Sequence, residues 1–339
     1  MAKSVKLADI AVKLGVSTVT VSKALSDQKG VSDEVRAQIK KLASEMGYIS
    51  PSAARIQSER RSYNIGVIVS SKYFDQTQSF YWMIYQELAT KALNKNCFTM
   101  LEVVQDYEEN NNVVPKLLEG NRVNGLVIIG IMKEEYLEIV NANARVPIIY
   151  LDFYNKNQKC DAVVSDNYFG MYKLTDYLCQ LGHKKIAYVG TLFTTNSITD
   201  RFFGYCKGLY ENGIDSRKDY IIEDRDSVTG SMEGREFILP DDMPTAFACN
   251  CDVTAIKLIE ELNKRGYKVP EDISVVGYDN YSLQNPGEIE VTTYAVDVKE
   301  MARKAIKNLI RKMNGEYFSK GISVVEGHMV IKNSCKPIN

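Results

Sequence analysis

Histidine, tryptophan and long apolar runs are scarce in this chain of 339 residues. It has two histidines, His183 and His328, and one tryptophan, Trp82. Histidines this far apart offer no local pair for a metal or a proton relay. The seven cysteines (Cys97, Cys160, Cys179, Cys206, Cys249, Cys251 and Cys335) are odd in number and scattered, with no CxxC spacing. The run Cys249-Asn250-Cys251 has no matching half for a zinc site, so all seven read as free thiols of a reducing compartment. Neither GxGxxG nor GxxxxGK[ST] occurs, which leaves nucleotide chemistry without a phosphate cradle. Among the longest apolar runs is 125–132, well short of the roughly 18–20 residues of a membrane helix. Residues 1–6 lack the apolar core of a signal peptide. The expectation is a cytoplasmic protein with no catalytic residues, metal, cofactor or membrane partner.

Charge of one sign is also lacking, since 42 Lys and Arg face 43 Asp and Glu. The apolar share of 45% and charged share of 25% are those of an ordinary globular protein long enough for two or three domains. The balance hides a division. Residues 1–61 carry eleven bases against six acids, and the remainder is acidic. A basic head on an acidic body is the pattern of a nucleic-acid-binding module joined to something else, although a merely solvated surface gives the same count.

The head reads as three short helices. Leu7, Ile10, Ala11 and Leu14 repeat at helical spacing before Gly15 interrupts. Ser17 can cap a second helix to about Leu25, with Val21 and Leu25 inward, and Ser32 a third with Val35, Ile39, Leu42 and Met46 as its stripe, ending at Gly47. This is the pattern of a helix-turn-helix unit. If Val21 and Leu25 face inward, Thr18, Val19, Ser22 and Lys23 project outward together. Such short hydroxyl, methyl and cationic groups suit base edges, thymine methyls and phosphates of a major groove.

The runs 5–11, 15–25, Val31-Ser32 and Gly47-Tyr48 resemble the lactose/galactose-repressor (LacI/GalR) family of transcription regulators. The resemblance implies that Thr18, Val19 and Lys23 stand at base-reading positions, with Ser22 near phosphate and Thr20 and Ser32 in the same interface. Lys23 stands where many members have arginine, and lysine lacks the bidentate fork for guanine. The family's hinge helix wedges a leucine into the minor groove. Residues 51–61 hold no leucine; Gln57 or Ser58 occupies the wedge position, which leaves Arg55 and Ile56 as the contact candidates and a plain linker as the other reading.

The body alternates short β-branched runs with helical patterns. Candidate strands are 65–69, 98–103, 125–129, 147–151, 162–165, 186–189, 220–223, 245–248 and 273–277. Buried strands separated by helices indicate parallel α/β sheets, and restarting the series after Asp161 suggests two similar lobes around a cleft. The resemblance continues through 123–128, Ser165-Asp166-Asn167 with Gly170, Leu181-Gly182-His183, Arg201 with Gly204-Tyr205, and 269–279. It implies an α/β fold: a three-helix head (1–50), a hinge (51–61) and a two-lobed, periplasmic-binding-protein-like (type I) effector domain (62–339). Lobe 1 would take about 62–161 and 293–324, and lobe 2 about 162–292 and 325–339.

Candidate ligand groups stand at or beyond strand ends: Asp152, Asp279 and Asn250-Cys251, with Arg201 opening a helix after 186–189. Such carboxylate, amide and guanidinium groups can bind the hydroxyls or ring nitrogens of a polar small molecule; a structural cap or ion pair is the alternative for the two aspartates. In the family, Arg201 and Asp279 match ligand-contacting positions, Asp152 lies close to one, and Phe80 and Tyr81 match an aromatic pair at the cleft edge. Trp82 stands beside them, as ligand face or as core. Cys251 replaces the family's usual asparagine before Asp252, and Arg225 replaces an aromatic, hinting at a more polar or anionic effector. The implied function is a homodimeric, non-enzymatic regulator, more often a repressor, which binds double-stranded operator DNA under control of a sugar or glycoside. A nucleobase or phosphoprotein corepressor is the alternative, and a solute-binding protein or enzyme on the same fold a distant one. No leucine-heptad tail suggests a tetramer.

Overall fold

Helix α1 (Leu7–Leu14) stops at Gly15, whose φ of 64° lets its N–H return to the Ala11 carbonyl. In the computed structural model, which describes residues 5–48, 62–73, 79–157, 161–281, 289–316 and 321–338, the chain divides into two units, Met1–Ser62 and Tyr63–Asn339. Ser17 caps α2 (Thr18–Leu25) by accepting from the Thr20 N–H at 3.0 Å. Ser32 caps α3 (Asp33–Glu45) through the Val35 N–H. Ile10, Ala11, Val21, Ala24, Ile39 and Ala43 form the buried center, while Leu25 is only partly buried at its rim. Ala24 and Leu25, three and four residues after Val21, both face this core, Ala24 fully and Leu25 in part. Arg36 braces the unit by donating to carbonyls at the end of α2 and in the following turn, including Gln28 at 2.8 Å. The hinge candidates Arg55 and Ile56 lie outside the described residues.

The second unit holds two six-stranded sheets. The first contains β1 (Tyr63–Ser70), β2 (Cys97–Val104), β3 (Gly125–Ile129), β4 (Ile148–Leu151), β5 (Asp161–Ser165) and β11 (Ile322–Val325), in the order β11-β5-β4-β3-β1-β2. The second contains β6 (Ile186–Val189), β7 (Ile221–Ile222), β8 (Ala246–Cys249), β9 (Ser274–Asp279), β10 (Thr292–Ala295) and β12 (His328–Val330), in the order β12-β10-β9-β8-β6-β7. Every pairing is parallel except β10 with β12. Helices α4 (Phe80–Leu93) and α10 (Val298–Met313) cover one face of the first sheet. Helices α7 (Asn167–Gln180) and α8 (Asn196–Glu211) cover one face of the second, and α9 (Asp252–Lys264) covers the other.

Two lobe boundaries differ from the expectation. Residues 162–165 belong to the first lobe, because β5 pairs with β4 and β11. Residues 293–295 belong to the second, because β10 pairs with β9. A run of β-branched residues specifies a strand but not its neighbour, so pairing decided the sheet. The chain passes between lobes three times: after Ser165, between Ala295 and Val298, and between Val325 and His328.

Helices α7 and α8 touch backbone to backbone. A Cβ at Gly204 would lie 2.0 Å from the Tyr168 carbonyl oxygen, and one at Gly208 would lie 2.7 Å from Thr175 Cβ. Only glycine permits this approach, and it sets the middle of α8 against the start of α7 and the end of α8 against the middle of α7. Among the described residues no helix is long and apolar enough to cross a membrane.

Candidate DNA-reading surface and ligand cleft

On α2, burial of Val21 and Ala24 turns Thr18, Val19, Ser22 and Lys23 to solvent, and Val19 is 61% exposed. Val19 thus stands among cationic and hydroxyl groups on one exposed face, a set able to meet thymine methyls, base edges and phosphates. Thr20 is half-buried and its hydroxyl is 2.9 Å from Ser17 Oγ, so it completes the cap. Ser32 is exposed while capping α3, where its free side can meet phosphate.

In the body, the strand ends and the helices after them converge on one polar cluster. Arg201, on α8 and 4% exposed, donates through Nε to Asn167 Oδ1 at 2.8 Å, through Nη2 to Asp279 Oδ1 at 3.0 Å, and through Nη1 to the Asn250 carbonyl. Its guanidinium lies 3.7 Å from the Tyr278 ring center. Asp152 follows β4 with a φ of 68° and accepts from the Tyr81 hydroxyl at 3.2 Å. Its other oxygen, Oδ1, is buried and has no partner among the described residues. Burial, with the neighbouring Asp279 charge, pushes the Asp152 carboxyl up to about 7 against the opposing pull of Arg201 and Tyr81. Burial also raises Asp279, although Arg201 draws it down. Asp152 comes from the first lobe and Arg201 and Asp279 from the second, so the cluster bridges both.

Aromatic rings surround it. Tyr73 and Tyr81 pack at 4.6 Å, and Phe80 meets Tyr81 edge-on at 5.8 Å and Tyr281 of the other lobe at 6.2 Å. Trp82 lies elsewhere, against Tyr85 at 5.5 Å. Trp82 and Tyr85 are three residues apart and so lie one turn from each other along α4. Tyr154 ties the lobes together by donating to Asp200 at 3.0 Å.

Arg225 and Asn250 take roles other than the expected ones. Arg225 grips Asp224 through Nε and through Nη2, the latter at 2.7 Å, and its Nη2 also donates to Asn250 Oδ1 at 3.1 Å. Asp224, 1% exposed, further accepts from the Thr191 N–H, the Asn250 amide and the Thr254 hydroxyl. Burial alone would raise Asp224, but the Arg225 charge and these hydrogen bonds outweigh it and hold its carboxyl at about 2. Arg225 is thus paired with Asp224, while its charge also reaches Tyr73 and Asp279 of the cluster. Asn250 is 1% exposed with its amide consumed by Val189, Asp224 and Thr254, so it supports the cleft floor rather than meeting a ligand. Cys251 caps α9, its Sγ accepting from the Thr254 N–H at 3.5 Å where the family's asparagine would use an oxygen.

Stability from Asp224 is present above its ordinary value near 4 and is lost as pH falls through about 2. Asp224→Asn is expected to cost about 2 kcal/mol at neutral pH, read as a lower calorimetric Tm. An unchanged Tm would mean that Arg225 finds other acceptors.

Tyr73, Tyr281, Asn167, Thr191 and Asp224 escaped the sequence reading. Asp224 adjoins Arg225 and Asn167 lies in the Ser165-Asp166-Asn167 run, so both were within reach. The two tyrosines carried no signal.

Two family models match the chain: bacterial regulatory proteins of the lacI family over residues 6–51, and a periplasmic binding protein-like domain over residues 175–335. The chain belongs to the lacI family. This regulator is 25% identical over 333 residues to the HTH-type transcriptional repressor PurR of Vibrio atlanticus (strain LGP32), covering 98% of both chains. Among solved structures it resembles the transcriptional regulator CelR in complex with cellobiose, at a TM-score of 0.68 and 21% identity over 97% of this chain and 99% of that one. It also resembles the lac repressor dimer bound to operator and the anti-inducer ONPF, at a TM-score of 0.65 and 23% identity over 98% and 100%. The lacI-family chain is thus a DNA-binding transcription regulator with an effector domain, and not an enzyme.

Proposed function

We propose that this regulator binds a near-palindromic operator as a cytoplasmic homodimer, and that a sugar or glycoside in the cleft controls that binding. Residues 1–50 bind DNA, 51–61 link, and 62–339 sense the effector and dimerise. The observation that carries the effector reading is the arrangement around Arg201. Asp152 and Asp279 supply acceptors from opposite lobes, one oxygen of Asp152 is buried without a partner among the described residues, and Phe80, Tyr81 and Tyr73 supply ring faces. Acceptors that outnumber free cations, beside aromatic faces, suit a neutral ligand with several hydroxyl donors. The engagement of Arg225 by Asp224 argues in the same direction, and the cellobiose complex of a similar protein supports a saccharide. The exposed set Thr18, Val19, Ser22 and Lys23 carries the DNA reading, and the operator complex of the similar lac repressor dimer supports two-fold recognition.

Footprinting with genomic fragments tests the DNA half. The full chain is expected to protect a palindromic site, and a chain lacking the head is expected to protect none. Lys23→Ala should weaken binding about 10–100-fold. Protection by the headless body would refute the assignment. Thermal-shift screening of saccharides against nucleobases and nucleosides tests the effector half. A shift from a nucleobase alone would replace the sugar reading.

A further inference from the structure

Two tyrosines packed at a tilt lie beside Arg201 and the segments that join the lobes. Tyr278 on β9 and Tyr294 on β10 are paired in register, their ring centers 5.2 Å apart, and each is at most 1% exposed. Both phenol oxygens reach a crossover. The Tyr278 hydroxyl donates to the Asp166 carbonyl at 2.9 Å, at the first passage between lobes. The Tyr294 oxygen accepts from the Gly327 N–H at 3.1 Å, at the third. At the second, the Val296 N–H donates to the carbonyl of Asp279, the residue after Tyr278.

The crossovers are shaped to these rings. A Cβ at Gly170, in the first turn of α7, would lie 2.5 Å from the Tyr278 hydroxyl and 2.6 Å from Tyr294 Cδ1. A Cβ at Gly327 would lie 2.6 Å from Tyr294 Cε1. No side chain fits at either place, so the rings sit directly on the crossover backbone. The Arg201 guanidinium lies over Tyr278, 3.7 Å from its center, while Arg201 Nε holds Asn167 next to the first crossover.

We propose that Tyr278 and Tyr294 are positioning residues that together seat Arg201 in the cleft and tie it to the first and third crossovers as one unit. Lobes that rotate must change backbone angles in the few residues joining them. Here the first and third of those segments are fastened to Tyr278, which carries Arg201, and to its ring partner Tyr294. A ligand that displaces Arg201 therefore shifts the rings and, through their oxygens, the crossovers. The two oxygens act on different crossovers, so their effects should add.

This inference rests on the reading of Arg201 as a cleft residue, but its test needs neither operator nor effector, so the two can fail separately. Spin labels joined through ketone-bearing residues at positions 138 and 257, one on the outer helix of each lobe, leave the native cysteines untouched. The full chain is diluted with unlabelled protein, and the interlobe distance distribution is measured by pulsed electron resonance. Tyr278→Phe plus Tyr294→Phe is expected to at least double the width of that distribution, and each single change to broaden it in part. Tyr205→Phe is the control. Tyr205 is equally buried and its hydroxyl donates to the Ile186 carbonyl at 2.7 Å, but that bond lies wholly within the second lobe. The control is expected to keep the wild-type width. A wild-type width in the double variant, or equal broadening by Tyr205→Phe, would overturn the proposal. Should the double variant fail to fold, Tyr294→Phe alone decides, since it leaves every contact of Arg201 in place.

Discussion

Arg201→Ala is expected to lower the unfolding free energy of the body by about 3–5 kcal/mol and to abolish the effector-induced thermal shift. The side chain is nearly fully buried, and its three donor directions meet Asn167, Asn250 and Asp279. Removing it strands the Asp279 carboxylate in a buried site that already holds the unsatisfied oxygen of Asp152. Both carboxyls would then rise further, having lost the charge that draws them down. Arg201→Lys restores the charge without the planar fork and should recover part of the stability and little of the ligand response. Urea unfolding followed through Trp82, the single tryptophan, provides the measurement. A loss below about 1 kcal/mol with an unchanged m value would show that the cluster closes over the gap, and that Arg201 is not its center.

Asp152→Asn should act in the opposite direction on stability while also removing ligand binding. The Asp152 carboxyl is raised to about 7 and that of Asp252 to about 8, burial being the largest cause for both. A folded value above the unfolded one means that the native state binds the extra proton. The associated stability is complete below the ordinary value near 4 and is lost as pH rises through about 7 and 8. An amide at position 152 never has to ionise. At pH 8 the variant should therefore be more stable than the wild type by up to about 4 kcal/mol, since three units correspond to roughly that amount. The two proteins should converge near pH 4. Melting curves across this range test the sign directly. A variant less stable than the wild type at pH 8 would mean that a partner already satisfies the carboxylate. The same substitution places donors where hydroxyl hydrogens should arrive, so the effector-induced shift should disappear.

These opposed effects locate the cost of the site. A cleft ready to accept hydroxyl hydrogens must hold acceptors that nothing satisfies until ligand arrives, and a buried acceptor in that state destabilises the fold. Asp224 shows the satisfied alternative. It has the same chemical group at similar depth, but four residues donate to it and hold it ionised. Residue type alone would make Asp152 and Asp224 equivalent.

The helices of the head were legible because their signals are local. A serine before each of α2 and α3 caps it, and Gly15 ends α1. The strands were legible because apolar β-branched runs alternate with helical patterns. Trp82 shows a limit: adjacency in sequence to Phe80 and Tyr81 suggested one aromatic group, and the turn of α4 separated them. Arg225 shows another. Its charge suggested an anion site, but the adjacent Asp224 folds back onto it, and only the folded backbone determines whether such neighbours pair or point apart.

By itself the sequence determined the basic three-helix head, the α/β character of the body, and the strand ends at which Asp152 and Asp279 stand. Periodicity, caps and charge act over a few residues and need no distant partner. Tertiary structure decided the rest. Strand pairing put residues 161–165 in the first sheet and 292–295 in the second, and the glycine contacts of α7 with α8 set Arg201 against Asn167. It also decided which buried charges are satisfied. That depends on groups dozens of residues apart meeting within about 3 Å, a condition that no local pattern encodes.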